Sequence, residues 1–222
     1  MAESGAQYAQ FIEHTLLKPE ATVDDIIRLC NEARQYDLFA VCVNPCYAGL
    51  AKHLLSGSQV KVVTVVGFPL GADRTATKAV AAQLAAEEDH VDEVDMVMNI
   101  SAFKSGNDDA VISDIAAVVA ASRPSPVKVI IETCLLTDDE KRRACKLIAA
   151  GGAAFVKTST GFNKGGATVH DVQLLAEEAK KYGLKVKAAG GIRDRQTAQA
   201  MLDAGADRIG TSAGAAIVAG ES

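Results

Sequence analysis

The stretch Gly151-Gly152-Ala153-Ala154-Phe155-Val156-Lys157-Thr158-Ser159 (GGAAFVKTS) decides the fold. Two glycines close the segment before it, a short apolar run follows, and the run breaks into small hydroxyl residues. The same outline returns 53 residues on, from Gly152 to Gly205, as Gly205-Ala206 with Gly210-Thr211-Ser212. That interval holds two strand–helix units. Short β-branched runs at 11–17, 39–43, 60–66, 93–98, 127–132, 154–158, 185–189 and 207–210 predict eight strands. Longer segments at 22–35, 46–55, 74–89, 108–121, 137–150, 168–181, 194–204 and 212–219 predict helices. Thr137 followed by Glu140 forms a capping-box pattern, and Thr22 and Thr168 stand as N-cap candidates before first-turn acids.

Near-continuous apolar strands alternating with helices mean a parallel sheet covered by helices. Eight repeats of about 28 residues in a 222-residue chain approach the ~30 of a βα unit. No G-x-G-x-x-G follows the first strand, as an open dinucleotide-binding sheet would prefer. The expectation is an α/β chain forming a single (β/α)8 TIM barrel, residues 1–222 as one domain, with no linker or low-complexity segment.

Composition narrows the function. A net charge of −5 argues against a nucleic-acid footprint, although a local phosphate site remains compatible with it. The absence of tryptophan and an aromatic content of 5% argue against a base-stacking or aromatic-anchored surface. Cys30, Cys42, Cys46, Cys134 and Cys145 form an odd, scattered set, which reads as free thiols in a reducing compartment. Cys42 and Cys46 are spaced C-x3-C without a second ligand pair nearby, so no metal site is expected there. The start, MAESGAQYAQ, has neither the basic region nor the apolar core of a signal peptide. No apolar run reaches the ~18 residues of a membrane span. A cytoplasmic protein without membrane or nucleic-acid partners is expected.

Charges inside strands carry the chemistry. Side chains alternate along a strand. In EVDMVMNI, Val94, Met96 and Met98 share one face and suit the helix layer, which turns Asp95 toward the barrel interior. In AFVKTST, Lys157 shares a face with Phe155 and Ser159; in KVKAAGG, Lys187 shares one with Lys185 and Ala189. Asp95, Lys157 and Lys187 therefore point inward, each late in its strand, where barrels build active sites. One aspartate and one lysine suffice for a structural salt bridge; the second lysine is the surplus. A neighbouring ammonium, like burial, depresses a lysine pKa and frees an amine, which is a carbonyl nucleophile. The rival reading is a satisfied ionic plug in the barrel, and spacing does not say which lysine attacks. Lys61, Lys128 and Lys185 open their strands and read as solvated residues of the opposite barrel face, without a role.

Three strand ends run into small residues: Ser159-Thr160-Gly161, Gly190-Gly191 and Gly210-Thr211-Ser212. Glycine lets a phosphate reach backbone N–H groups, a following helix N-terminus favours the anion, and loops after barrel strands 7 and 8 are the usual place. Arg193 either adds charge there or is a solvated helix-start residue. GFPLGA (67–72) reads as a shaped structural loop. His53 and His90 read as helix-surface residues, His170 as part of a helix start, and His14 is a candidate for facing the pocket.

The ordered set HTLLKP, VCVNP, TVVGFPLGA, EVDMVMNI, KVIIETCLLT, FVKTSTGF, VKAAGGIR and RIGTSAG resembles the deoxyribose-phosphate aldolase family over nearly the whole chain. The resemblance implies a class I aldolase that needs no metal or other cofactor. It would reversibly cleave 2-deoxy-D-ribose 5-phosphate to glyceraldehyde 3-phosphate and acetaldehyde, in deoxyribose phosphate catabolism. It also implies a homodimer with small sugar-phosphate and aldehyde partners. It assigns the Schiff base to Lys157, the lowering of the Lys157 pKa and support of proton transfer to Lys187, and proton exchange to Asp95. Cys42 would lie close to the substrate, with Thr160, Gly161, Gly190, Gly191, Gly210 and Ser212 around the substrate and its phosphate. Many members carry a C-terminal tail ending in tyrosine that helps proton transfer; this sequence reads Gly220-Glu221-Ser222 instead, so the implied chemistry rests on the barrel residues. The alternatives are a Schiff-base aldolase for another sugar phosphate, and a phosphate-binding scaffold in which both inward lysines are structural.

Overall fold

The computed structural model describes residues 5–220. Met1–Ser4, from the start read as lacking a signal peptide, and Glu221-Ser222, at the departure from the family tail, lie outside the described residues. The strands are β1 (Ile12–Leu16), β2 (Ala40–Val43), β3 (Lys61–Val66), β4 (Glu93–Val97), β5 (Val127–Ile130), β6 (Phe155–Lys157), β7 (Lys185–Ala189) and β8 (Arg208–Thr211). The helices are α1 (Ala6–Ala9), α2 (Val23–Gln35), α3 (Ala48–Leu54), α4 (Thr75–Glu87), α5 (Ile100–Lys104), α6 (Asp108–Ala121), α7 (Asp138–Ala150), α8 (Val169–Lys180), α9 (Arg195–Asp203) and α10 (Gly214–Ala219). The strands pair in sequence order, all parallel, and β8 closes on β1 through Ile12 opposite Ile209 and His14 opposite Thr211. This is a (β/α)8 barrel.

Local chemistry places the element ends. Thr22 and Thr137 each close a full capping box, with Asp25 and Glu140, and the Thr168 hydroxyl accepts the Asp171 N–H at 3.0 Å. The segment predicted as a helix over 46–55 starts as a 3₁₀ turn at Pro45–Tyr47, with the ring of Pro45 at its first position. Two short helices, α1 and α5, are additions to the predicted set. Four or five residues are too few to show a helical period; α5 is announced only by Asn99, whose side chain caps the Ala102 N–H. The strand predicted over 127–132 ends at Ile130, because the chain turns left-handed at Glu132 (φ 53°).

The two faces of the barrel wall differ. Ile12, Val41, Val62, Val94, Met96, Val129, Val156, Val186 and Ile209 point outward and form one continuous core with the helices. Inside, Leu17, Ala40, Cys42, Val63 and Val65 make a separate, smaller apolar cluster, with Phe39 and Phe68 against it. This cluster occupies the β2–β3 side of the interior. Among the described residues, no helix is long and apolar enough to cross a membrane.

Candidate active site

The remaining interior sectors are ionic. Asp95 on β4 lies at their centre: Oδ2 is 2.7 Å from Lys157 Nζ and 2.6 Å from Lys187 Nζ, while Oδ1 accepts from Lys128 Nζ at 2.9 Å. Lys128 also pairs with Glu93 (2.7 Å) and Glu13 (3.4 Å), and the other Glu13 oxygen contacts Lys187 Nζ. All six side chains are buried. The sequence expectation that brings Asp95, Lys157 and Lys187 together holds; two others need correction.

Lys128 is not a solvated end residue. Lys61 and Lys185 are the first residues of their strands and are exposed, but Lys128 is the second residue of β5. All three share the inner face of their strands, but Lys128 lies level with Asp95 across the β4–β5 register and is fully buried. The lysine surplus also disappears. Three lysines face three carboxylates, since Glu13 and Glu93 join Asp95. The same alternation rule would have found them: in FIEHTLL, Glu13 alternates with the outward Ile12 and His14, and in VKVIIE, Lys128 alternates with Val127 and Val129.

The even charge count does not treat the lysines alike. Burial and then the Lys187 ammonium push the Lys157 pKa below the usual lysine value, against the pull of Asp95. For Lys187, burial acts downward, but Asp95 and Glu13 together outweigh it and raise the value. Lys128 is raised as well, by Asp95, Glu13 and Glu93 against burial. Burial would lift Asp95, but the three surrounding lysines hold it well below the usual carboxylate range. The cluster therefore contains one lysine biased toward the free amine, two that keep their protons, and a carboxylate that stays ionised.

Lys157 is also the lysine that reaches a cavity. A cavity of about 370 Å³ opens at the carboxyl ends of the strands, lined by Lys157, Leu17, Thr160, Gly161, Gly190, Gly191, Gly210 and Ser212 among others. Asp95 and Lys187 lie beneath its floor. Gly210 is needed to keep that floor open: a Cβ there would stand 3.1 Å from Lys187 Cε and 3.0 Å from Ala189 Cβ. Gly190 has φ 93°, and a Cβ on it would meet Gly166 Cα at 3.0 Å. At the rim, Arg193 and Lys18 bring two exposed cations to the same cavity. Lys18, within HTLLKP, escapes sequence reasoning because nothing about a loop lysine marks its direction.

Three candidate residues have surroundings that the sequence does not show. Cys42 is fully buried in the interior apolar cluster and does not line the cavity; burial pushes its thiol up to about 11. Thr160 lines the cavity, but its N–H and hydroxyl both donate to the Glu132 carboxylate. His14 faces the helix layer, with Nε2 2.7 Å from Glu32 on α2. It borders a neighbouring cavity of about 470 Å³ between α2 and the β1–α2 connection, which shares Thr15, Leu16, Lys18 and Ser212 with the first but is not lined by Lys157. The GFPLGA loop closes one side of the site: Phe68 meets Phe162 edge-on at 5.3 Å.

Cys42 and Cys46 are both free, the first buried and the second exposed. Among the described residues, the one group of His, Cys, Asp and Glu side chains close enough to share a metal is Asp138, His170 and Asp171. Lys141 Nζ already spans its two carboxylates, at 2.9 and 2.6 Å.

Comparison with known proteins agrees with this geometry. Residues 8–220 match the family model described as DeoC/LacD family aldolase. The chain is 54% identical to a deoxyribose-phosphate aldolase of Geobacillus sp., over 96% of this chain and 95% of that one. It is 55% identical to the one from Streptococcus gordonii, over 96% of each. Among solved structures, a tetrameric deoxyribose phosphate aldolase from Aeropyrum pernix superposes with a TM-score of 0.91 at 34% identity, covering 97% of this chain and 91% of that chain.

Proposed function

The chain belongs to the DeoC/LacD aldolase family and acts as an aldolase on 2-deoxy-D-ribose 5-phosphate, and we propose that it does so through a Schiff base on Lys157. The observation that carries this reading is that Lys157, alone among the described lysines, combines a depressed pKa with a place on the cavity wall. A neutral amine there attacks the aldehyde of the open-chain sugar. Loss of water gives an iminium, which accepts the electron pair of the breaking C2–C3 bond.

The other groups divide the proton work. Cleavage requires the C3 hydroxyl to lose its proton as the carbonyl of glyceraldehyde 3-phosphate forms. Asp95, ionised and 2.7 Å from Lys157 Nζ but below the cavity lining, is the acceptor through a water or with Lys187. Lys187 keeps its proton and shares the same Asp95 oxygen, so it supplies the acid side of the exchange. The enamine left on Lys157 is protonated at C2 and hydrolysed to acetaldehyde. Glu13 and Lys128 hold the pair in place from below. At the far end, Gly161, Gly190, Gly191, Gly210 and Ser212 receive the phosphate, with Arg193 and Lys18 adding positive field at the rim. The apolar patch of Leu17, Cys42 and Val65 walls the interior beside the lysines.

Borohydride reduction in the presence of acetaldehyde tests the reading. The expected result is one reduced adduct mapping to Lys157, none in Lys157→Ala, and no turnover by that variant. An adduct at Lys187, or none at any lysine, refutes it.

A further inference from the structure

Glu132 is a buried carboxylate that the chemistry above does not use. It follows β5, is 2% exposed, and has a left-handed backbone at φ 53°. Left-handed backbone strains a side-chain-bearing residue, and burying a carboxylate without a cation is costly. Among the described residues no lysine, arginine or histidine pairs with it. Both oxygens go instead to a single residue: Oε1 accepts the Thr160 N–H at 3.3 Å and Oε2 the Thr160 hydroxyl. Thr160 Oγ1 in turn accepts the Phe162 N–H at 3.1 Å. The chain from Glu132 through Thr160 to Phe162 brackets Gly161, which lines the cavity with φ 83°. Nearby, the Thr133 N–H donates to the Thr158 carbonyl at 2.9 Å, so the two loops are tied at a second point.

We infer that Glu132 is a positioning residue for the phosphate end of the site: its carboxylate holds the Thr160–Gly161–Phe162 turn in the shape that receives the substrate phosphate. The inference rests on the proposed function, in which Gly161 belongs to the phosphate subsite. Glu132 does not line the cavity and acts only through Thr160. By taking both Thr160 donors it also settles which part of the turn is left for the ligand, since Thr160 has none to spare. The backbone cost and the buried charge are then the cost of a rigid turn, and a turn fixed before binding loses less entropy when the anion arrives.

The test compares phosphorylated and unphosphorylated substrate. Glu132→Gln keeps an acceptor for the Thr160 N–H but sets an NH₂ group against the hydroxyl. The expected result is a KM for 2-deoxyribose 5-phosphate raised about tenfold, the size of one lost charge-assisted hydrogen bond. Over the same comparison, kcat/KM for 2-deoxyribose and acetaldehyde trapping at Lys157 stay at wild-type levels. Thr160→Val, which deletes the hydroxyl from the other side, gives the same selective loss and adds nothing to Glu132→Gln in the double variant; Thr160→Ser restores wild-type behaviour. If Glu132→Gln does not fold, the Thr160 pair carries the test. An equal loss on both substrates, or an unchanged KM for the phosphorylated one, overturns the inference alone. If the wild-type enzyme shows no preference for the phosphorylated sugar, the phosphate reading itself is wrong and this inference falls with it.

Discussion

Two of the places where the molecule buries lysines are built differently. In the helix layer, Lys78 on α4 meets Asp114 on α6 at 2.7 Å, and a second N–H goes to the Val97 carbonyl at 3.0 Å. The Thr75 hydroxyl fills the other Asp114 oxygen. One cation faces one anion, and both Asp114 oxygens have a donor. In the barrel centre, by contrast, three lysines divide Asp95 among them, and two of them use the same oxygen. A one-to-one pair stabilises both charges. A shared carboxylate leaves one lysine with less than a full partner and a like charge beside it, and that lysine is Lys157. The comparison teaches that burial of a lysine does not by itself indicate chemistry; unequal division of the counter-charge does.

The contrast can be broken at its most connected point. Asp95→Asn should lower kcat by about 10²–10⁴-fold, because proton transfer fails. Acetaldehyde trapping at Lys157 should persist, because Asp95 raises the Lys157 pKa and its loss leaves the amine freer. Steady-state kinetics beside reductive trapping separates the two steps, and near-normal turnover would remove Asp95 from the mechanism.

Lys187→Met is expected to have a smaller effect, about 10²-fold at neutral pH. Its sign with pH is fixed by the cause of the shift. The Lys187 ammonium depresses Lys157, so removing it lets Lys157 hold its proton to higher pH. The acid limb of kcat/KM should therefore move in the alkaline direction, and part of the activity should return as pH rises. A limb that stays in place would show that burial alone sets the amine.

The smallest catalytic effect is expected at the other lysine. Lys78→Met leaves Asp114 buried and unpaired and should cost about 3–5 kcal/mol of stability in denaturant unfolding. Turnover per folded molecule should change only a few-fold. A large loss of kcat in folded Lys78→Met would mean that the helix-layer pair also tunes the site.

Much of this was legible in the residues. The alternation in EVDMVMNI, AFVKTST and KVKAAGG turned Asp95, Lys157 and Lys187 inward, as found, because a strand's period of two leaves no freedom once the apolar face is known. The same rule applied to Glu13, which the reading passed over, and to Lys128, whose place near a strand start was read as solvated although it is fully buried. Lys78 was hidden for another reason. On a helix rich in alanine, no strong apolar stripe marks which side is buried, and its partner Asp114 is 36 residues away.

By itself, then, the sequence determined the barrel, its strand order and the inward set around Asp95, since these follow from local period and from the regular βα repeat. It also carried the resemblance that singles out Lys157. The tertiary structure alone decided how the counter-charges are divided, that Thr160 spends its donors on Glu132, that His14 faces α2, and that Cys42 lies behind the cavity wall. Those outcomes depend on which side chains meet across the closed barrel. Glu13 and Lys187, 174 residues apart, become neighbours only when β8 closes onto β1.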